Sequence, residues 1–279
     1  MKIGVIGSTG FMGENLSSFL KKNNYQVKKF SSYKKLKHNW LEKVCKEIKK
    51  YSPEIIINCS ASQTLNDDKE SIESLIHTNL YSQSCFLNEG KKLKNFIGFI
   101  TFGSRWEYDK NGNYKPNTFY AATKHASDYL LKYFTDKKTT VVVLKIFDTY
   151  GENDKRSKIL NLLLKNYKNN TKLKLSPGKQ EIDYVSISDV CELVKLICND
   201  IKKKKISGFK RYTVSSKKPI TLIALTNILK KNLKKNLDIE IGALKYRSNE
   251  SMKTSRKIFN YKTWKPKSNL VKDLKKIFD

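Results

Sequence analysis

The chain has 279 residues, carries 56 lysines and arginines against 26 acidic residues for a formal net charge of +30, and is 39% hydrophobic and 11% aromatic. That apolar and aromatic share argues against a disordered chain, and there is no Gly-X-Y period and no dense cysteine framework. No uncharged apolar run approaches the roughly 18 residues a membrane span needs, so the expectation is a globular enzyme-sized chain of one large α/β domain or two fused lobes.

The first thirty residues read as strand, turn, helix, strand: Lys2 to Ile6 is apolar and β-branched, Gly7 to Gly13 is a turn, Glu14 to Lys22 is amphipathic, and Gln26 to Phe30 resumes a strand. The short apolar opening stops at Gly7 without a small-residue cleavage site, so no signal peptide is expected. A helix follows near Trp40 to Lys50, a buried-type strand at Glu54 to Asn58, a helix near Ser71 to Glu89 and an apolar strand at Phe96 to Phe102. A helix near Tyr120 to Thr135 leads into the strand Thr140 to Ile146. Strands alternating with helices predict a doubly wound parallel sheet covered on both faces. Beyond Gly151 the rhythm changes, with helices near Lys158 to Lys168, Asp189 to Asp200, Leu222 to Asn232 and Leu270 to Phe278 and strands near Tyr184 to Ile187 and Arg211 to Val214. The predicted organisation is a Rossmann-like dinucleotide-binding domain from residues 1–150 with 184–216, and a smaller C-terminal α+β substrate lobe from 151–183 with 217–279.

The positive charge is almost all lysine, with arginine only at Arg105, Arg156, Arg211, Arg247 and Arg256, and it is scattered through every predicted helix. Readers of phosphate and base edges favour the arginine fork, so the pattern reads as AT-rich codon bias, and neither a nucleic acid nor a membrane is the expected partner. The field would still draw in small anions. Five cysteines, odd in number and well separated, read as reduced, buried thiols of a cytoplasmic protein, and no metal site is expected.

Gly7-Ser8-Thr9-Gly10-Phe11-Met12-Gly13 lies between the first strand and first helix, where backbone N–H groups and the helix N-terminus can hold a pyrophosphate. Where a NAD-binding chain has an acid at the end of the second strand to take the ribose 2′-OH, this one has Ser31, followed by Ser32, Tyr33, Lys34 and Lys35. Hydroxyls and cations there favour NADP(H), with NAD(H) possible if the two lysines are simply solvated. Tyr120-Ala121-Ala122-Thr123-Lys124 puts a phenol and an ammonium four residues apart on one helical face. A nearby ammonium would lower the phenol pKa toward a useful range. Ser104, sixteen residues earlier and just past an apolar strand, could converge with them on one substrate oxygen. Thr101 and Thr123 are lesser substitutes for it.

Together the Gly7/Gly10/Gly13 loop, Ser104, Tyr120 and Lys124 resemble the extended short-chain dehydrogenase/reductases, the NAD-dependent epimerase/dehydratase family, in order and interval. The resemblance implies Tyr120 as proton donor or base, Lys124 on the nicotinamide ribose, and Ser104 on the reacting oxygen. It also places Asn58, Ser60, Ala61 and Asn79 at the coenzyme. Stretches such as Phe147 to Gly151, Ser176 to Gln180 and Gly242 to Arg247 look most like the CDP-abequose and CDP-paratose synthase-type nucleotide-sugar 4-ketoreductases. This likeness implies NADPH-dependent reduction of a nucleotide-linked 4-keto deoxyhexulose, with a CDP-sugar favoured, and a role in polysaccharide biosynthesis. Relatives often carry Asn where Asp148 stands and Arg where Ile182 stands. Those departures keep the relatives' diphosphate contacts from being carried over; Asp148 remains a substrate candidate by position, and Arg247 as a bidentate diphosphate clamp. Glu107 alone does not supply the acidic pair of a dehydratase. An NAD-dependent epimerase or 4-dehydrogenase uses the same three residues, and a non-catalytic nucleotide- or RNA-binding protein is the alternative of another class. A homodimer is implied by the resemblance.

Overall fold

The computed structural model describes residues 1–33, 39–234, 237–255, 257–262 and 264–278. Its centre is a six-stranded sheet in the order β2-β1-β3-β4-β5-β10, formed by β1 (Lys2–Ile6), β2 (Gln26–Lys29), β3 (Ile55–Asn58), β4 (Gly98–Ser104), β5 (Thr140–Ile146) and β10 (Phe209–Val214), with every pairing parallel. Strand order reverses about β1, which has β2 on one side and β3 on the other. That makes the loops leaving β1 and β3 the walls of a crevice at the carboxyl ends of the strands.

Successive residues of these strands are buried on opposite faces, as the two-residue period requires. Ile55, Ile57, Val142 and Leu144 join Leu16 and Leu20 of α1 (Phe11–Lys22) and the apolar stripe of α7 (Ile187–Lys202) in one core. Ile56, Val141 and Val143 join Trp40, Val44 and Ile48 of α2 (Trp40–Tyr51), Phe86 of α4 (Gln83–Lys91) and Leu131 of α5 (Phe119–Tyr133) in the other. Each such side chain withdrawn from water contributes about 1.5–3 kcal/mol against the entropy of ordering. A third core lies in the smaller C-terminal lobe, where Leu160 and Leu163 of α6 (Ile159–Asn169), Leu225 and Leu229 of α8 (Leu222–Asn232) and Leu274 and Phe278 of α9 (Leu270–Phe278) meet.

Besides the strand expected near Tyr184 to Ile187, the chain contains short strands that its sequence did not announce. β6 (Asp148–Tyr150) pairs with β9 (Tyr184–Ser186), β7 (Leu173–Leu175) with β12 (Ile239–Ile241), and β8 (Glu181–Ile182) with β11 (Ile220–Thr221). Runs of two or three residues carry too little periodicity to be read locally. The helix expected over Ser71 to Glu89 is interrupted: α3 (Lys69–Ile76) passes into a π-helical turn at His77–Ser82 before α4. β4 starts and ends two residues later than predicted, so Ser104 is its last residue rather than a loop residue.

Buried carboxylates fasten the lobe to the sheet. Asp183 accepts from the Ser215 hydroxyl at 2.7 Å and the Ser216 N–H at 2.8 Å, just beyond β10, and Asp189 accepts from the N–H groups of Lys267 and Ser268. Trp264 packs against the first core. Cys191 and Cys198 are buried and burial pushes both up to about 12, whereas Cys45, Cys59 and Cys85 are only partly buried, short of the fully buried set expected. No helix among the described residues is long and apolar enough to cross a membrane.

Candidate active site

The turn after β1 is held by an N–H of Gly10 donating to the Gly7 carbonyl at 3.1 Å. Gly7 has φ +70, and a Cβ there would lie 2.6 Å from the Ser60 nitrogen; a Cβ on Gly13 would lie 2.3 Å from the Gly7 carbonyl oxygen. Both positions need glycine, one for its left-handed backbone and both for backbone-to-backbone approach. Helices α3, α5, α7 and α8 are capped by the side chains of Asp68, Thr118, Ser186 and Thr221, but α1 begins at Gly10 with no side-chain cap. The donors of its first turn, over Phe11, Met12 and Gly13, therefore remain available to an anion at the crevice. Ser8 is turned toward the Phe30 carbonyl at 3.4 Å, and the Thr9 and Ser32 hydroxyls meet at 3.2 Å.

At the end of β2 the structure adds a residue that sequence reasoning missed. Glu47, on α2, accepts from both the Ser31 N–H and the Ser31 hydroxyl, each at 2.8 Å. The acid missing from the strand end is thus supplied from a helix, and only the helical packing brings it there. Lys34 and Lys35 lie outside the described residues.

Beyond β3, Asn58 accepts from the Ser60 N–H and hydroxyl while its own buried Nδ2 has no partner, and Ala61 follows in the same wall. Asn79, 1% exposed within the π-helical turn, donates to the Ser62 carbonyl and to Thr123 and accepts from the Ser62 N–H. Its amide braces this wall against α5. Thr101 bonds to Gln83 and the Asn58 carbonyl, and Thr123 donates to the Tyr120 carbonyl, so neither hydroxyl stands in for Ser104.

Ser104 ends β4 and caps the short helical turn Arg105–Glu107: its oxygen accepts from the Trp106 N–H at 3.2 Å, and its own N–H donates to Glu107 Oε1 at 2.7 Å. Among the described residues the Ser104 O–H donates to no partner. The Trp106 ring stands edge-on to Tyr120, 6.4 Å between centroids, and the Lys124 ammonium lies 5.9 Å from the Tyr120 ring centroid. Trp106 thus links Ser104 to Tyr120, and Tyr120 lies beside Lys124. Neither the Tyr120 hydroxyl nor the Lys124 ammonium has a hydrogen-bond partner among the described residues, although Lys124 is only 3% exposed.

Burial pushes the Tyr120 phenol up from its ordinary value, with the charge of Glu107 adding to the effect. This corrects the expectation that Lys124 lowers it: in the protein alone the phenol is held protonated. Burial brings Lys124 down to about 8, against the opposing pull of Glu107 and Asp128. Such a site offers a hydroxyl donor, a protonated phenol and an ammonium that is charged at neutral pH.

The substrate candidates are placed differently. Asp148 is bonded to the Arg105 guanidinium at 2.7 Å, so it presents a paired carboxylate. Arg247 is exposed and lines a crevice with Arg105, Trp106, Asn117 and Thr118, next to Ser104. The bare α1 terminus, the glycine contacts, the orphaned Asn58 Nδ2 and the free Lys124 ammonium suit a dinucleotide lying across the carboxyl ends of β1 and β3.

Comparison with known proteins agrees with this architecture. The CDP-abequose synthase of Yersinia pseudotuberculosis is 26% identical over 93% of this chain and 94% of its own length, and that of Salmonella muenchen 25% identical over 99% and 96%. Among solved structures, the UDP-glucuronic acid 4-epimerase of Bacillus cereus, in complex with UDP-glucuronic acid and NAD, superposes with a TM-score of 0.83 at 19% identity, covering 100% of this chain and 99% of that one. The UDP-glucose 4-epimerase of Thermotoga maritima does so with 0.82 at 18% identity, covering 100% and 98%. Residues 3–209 match the NAD dependent epimerase/dehydratase family, and with the parallel sheet, glycine turn and Ser-Tyr-Lys grouping already described, the chain belongs to that family of enzymes.

Proposed function

We propose that this enzyme reduces the C4 keto group of a nucleotide-linked deoxyhexulose, with a CDP-sugar favoured, using NADPH. The observation that carries the reading is the grouping of a Ser104 O–H that donates to no described residue with the Tyr120 hydroxyl and the Lys124 ammonium, the phenol being held protonated. A ketone needs a proton on its oxygen as hydride reaches its carbon, and a protonated phenol beside an ammonium can supply one. The two relatives named CDP-abequose synthase, matched over almost their whole lengths, support the substrate class.

The bound coenzyme would supply the hydride to the carbonyl carbon. Gly7, Gly10 and Gly13 with the first turn of α1 would hold its pyrophosphate, and Asn58, Ser60 and Ala61 would line its other side. Lys124 would bind the nicotinamide ribose hydroxyls and keep that end of the coenzyme against Tyr120. Ser104 would donate its free O–H to the substrate oxygen and stabilise the charge that develops there. Tyr120 would give its proton to the same oxygen, completing an alcohol. Arg247, with Arg105 in the same crevice, would bind the diphosphate.

Ser32 and the cations at Lys34 and Lys35 support NADP(H); the Glu47 carboxylate held on Ser31 favours NAD(H), and with it the reading as an epimerase or 4-dehydrogenase that keeps its coenzyme. One assay separates these. Purified enzyme is given CDP-, dTDP-, GDP- and UDP-linked 4-keto-6-deoxy sugars with NADPH and then with NADH, and loss of the reduced-coenzyme absorbance is followed. The expected result is turnover with the CDP-sugar and a higher kcat/KM for NADPH. Absence of coenzyme consumption with all four ends the reductase reading, and sugar interconversion without net consumption establishes the alternative.

A homodimer is proposed as well, because α5 exposes Tyr129, Leu130 and Tyr133, the last 84% exposed, with Ile76 and Tyr81 exposed on the preceding helical segment. Apolar surface of this kind, on adjacent helices, suits a second copy. Light scattering is expected to give twice the 32.4 kDa chain mass, and Tyr133→Glu to return it to one chain; a wild-type mass of one chain removes the proposal.

A further inference from the structure

Ser31 lies just past β2, where the adenosine ribose of a bound dinucleotide would meet the sheet. Helix α2 holds every polar group of this residue. Glu47 Oε2 accepts from the Ser31 N–H and Glu47 Oε1 from the Ser31 hydroxyl, each at 2.8 Å, and the Trp40 indole N–H donates to the Ser31 carbonyl at 2.8 Å. Trp40 is 2% exposed and stands edge-on to Phe86 of α4, 5.3 Å between centroids, so this third bond comes from a side chain fixed in the core. Ser31 and Glu47 are themselves half-buried.

A carboxylate only accepts hydrogen bonds, so the Ser31 proton is committed to Glu47 and what remains to Ser31 Oγ is its lone pairs. The neighbouring hydroxyls behave differently. Thr9 and Ser32 meet at 3.2 Å and either can donate; whichever accepts keeps its own proton for an outside acceptor. The end of β2 therefore combines an obligatory acceptor at Ser31 with an available donor at Thr9 or Ser32.

We propose that Glu47 determines coenzyme specificity as a positioning residue: by holding the Ser31 proton it makes Ser31 Oγ an acceptor for the ribose 2′-OH of NAD(H), and turns that oxygen against the 2′-phosphate of NADP(H). A 2′-OH has a proton to give, whereas a 2′-phosphate brings negative charge and acceptor oxygens. Ser32 and the lysines that follow it in sequence act in the other direction, so the preference for NADPH is what remains after Glu47 has opposed it. The proposal rests on the coenzyme site described under Proposed function and is independent of the sugar and of the direction of the reaction.

The test is binding of NADPH and of NADH to the full-length protein, followed by the fluorescence of the reduced coenzyme, in wild type, Glu47→Gln and Ser31→Ala. A glutamine can accept from the Ser31 N–H through its oxygen and donate to Ser31 Oγ through its nitrogen, so the loop stays fastened while the serine proton is released. The expected result in Glu47→Gln is a ratio of NADPH to NADH affinity about ten-fold higher than in wild type, the worth of one hydrogen bond to a charged group. Ser31→Ala keeps the backbone bond to Glu47 and loses only the accepting oxygen. Its ratio is expected to rise as well, through weaker NADH binding alone, and it decides the matter if Glu47→Gln does not fold. A brace without selectivity would weaken both coenzymes in proportion, so an unchanged or lowered ratio in folded Glu47→Gln overturns the proposal, as does an unaltered NADH affinity in Ser31→Ala. Should no sugar be turned over by any form, the reductase reading fails alone and the affinity ratios still decide the role of Glu47.

Discussion

Tyr120→Phe is expected to lower kcat by about 10²–10⁴, the usual worth of a positioned general acid, while leaving coenzyme affinity and thermal stability near those of wild type. The hydroxyl bonds to nothing among the described residues, whereas the ring packs edge-on against Trp106, so the substitution deletes a proton and keeps the packing. Stability should change by no more than about 0.5 kcal/mol, as for a site with no interaction to lose. The measurement is kcat by coenzyme consumption alongside a melting curve. Turnover within a few-fold of wild type would remove Tyr120 from the chemistry. A variant that loses activity and also melts early would say instead that the phenol is structural.

The second large effect concerns the coenzyme turn. Gly13→Ala places a methyl group 2.3 Å from the Gly7 carbonyl oxygen and 2.8 Å from the Ser8 Cα. Both obstacles are backbone of the turn itself, so the turn must move away from the start of α1. Overpacking of this kind costs about 1–3 kcal/mol. If the displaced turn is the coenzyme's seat, the same energy appears as about ten- to hundred-fold weaker binding. Fluorescence titration with NADPH and NADH, together with thermal unfolding, separates the cases: weaker binding of both coenzymes supports a pyrophosphate cradle, and unchanged affinity in a destabilised protein assigns Gly13 to packing alone.

Much of this molecule was legible in its sequence because the signals were local. Strands such as Ile55–Asn58 and Thr140–Ile146 are apolar on both faces, which identifies a covered parallel sheet before any neighbour is known. The glycine turn after the first strand and the four-residue Tyr120–Lys124 step are likewise properties of a few adjacent residues. The family, and with it the approximate place of the site, followed from those motifs.

What stayed hidden depended on residues distant in the chain. Lys145 is a lone charge in an apolar strand, and such a residue needs a buried partner. Its partners Glu107 and Asp128 lie 38 and 17 residues away and meet it only because α5 and the turn after β4 pack over β5. Glu47 reaches Ser31 across sixteen residues and one helix, and it changes what the end of β2 offers a ribose. The direction of the Tyr120 shift was beyond sequence for the same reason. A lysine four residues away is readable in a string of letters, but desolvation and a buried carboxylate contributed by another element exist only once the chain has closed around them.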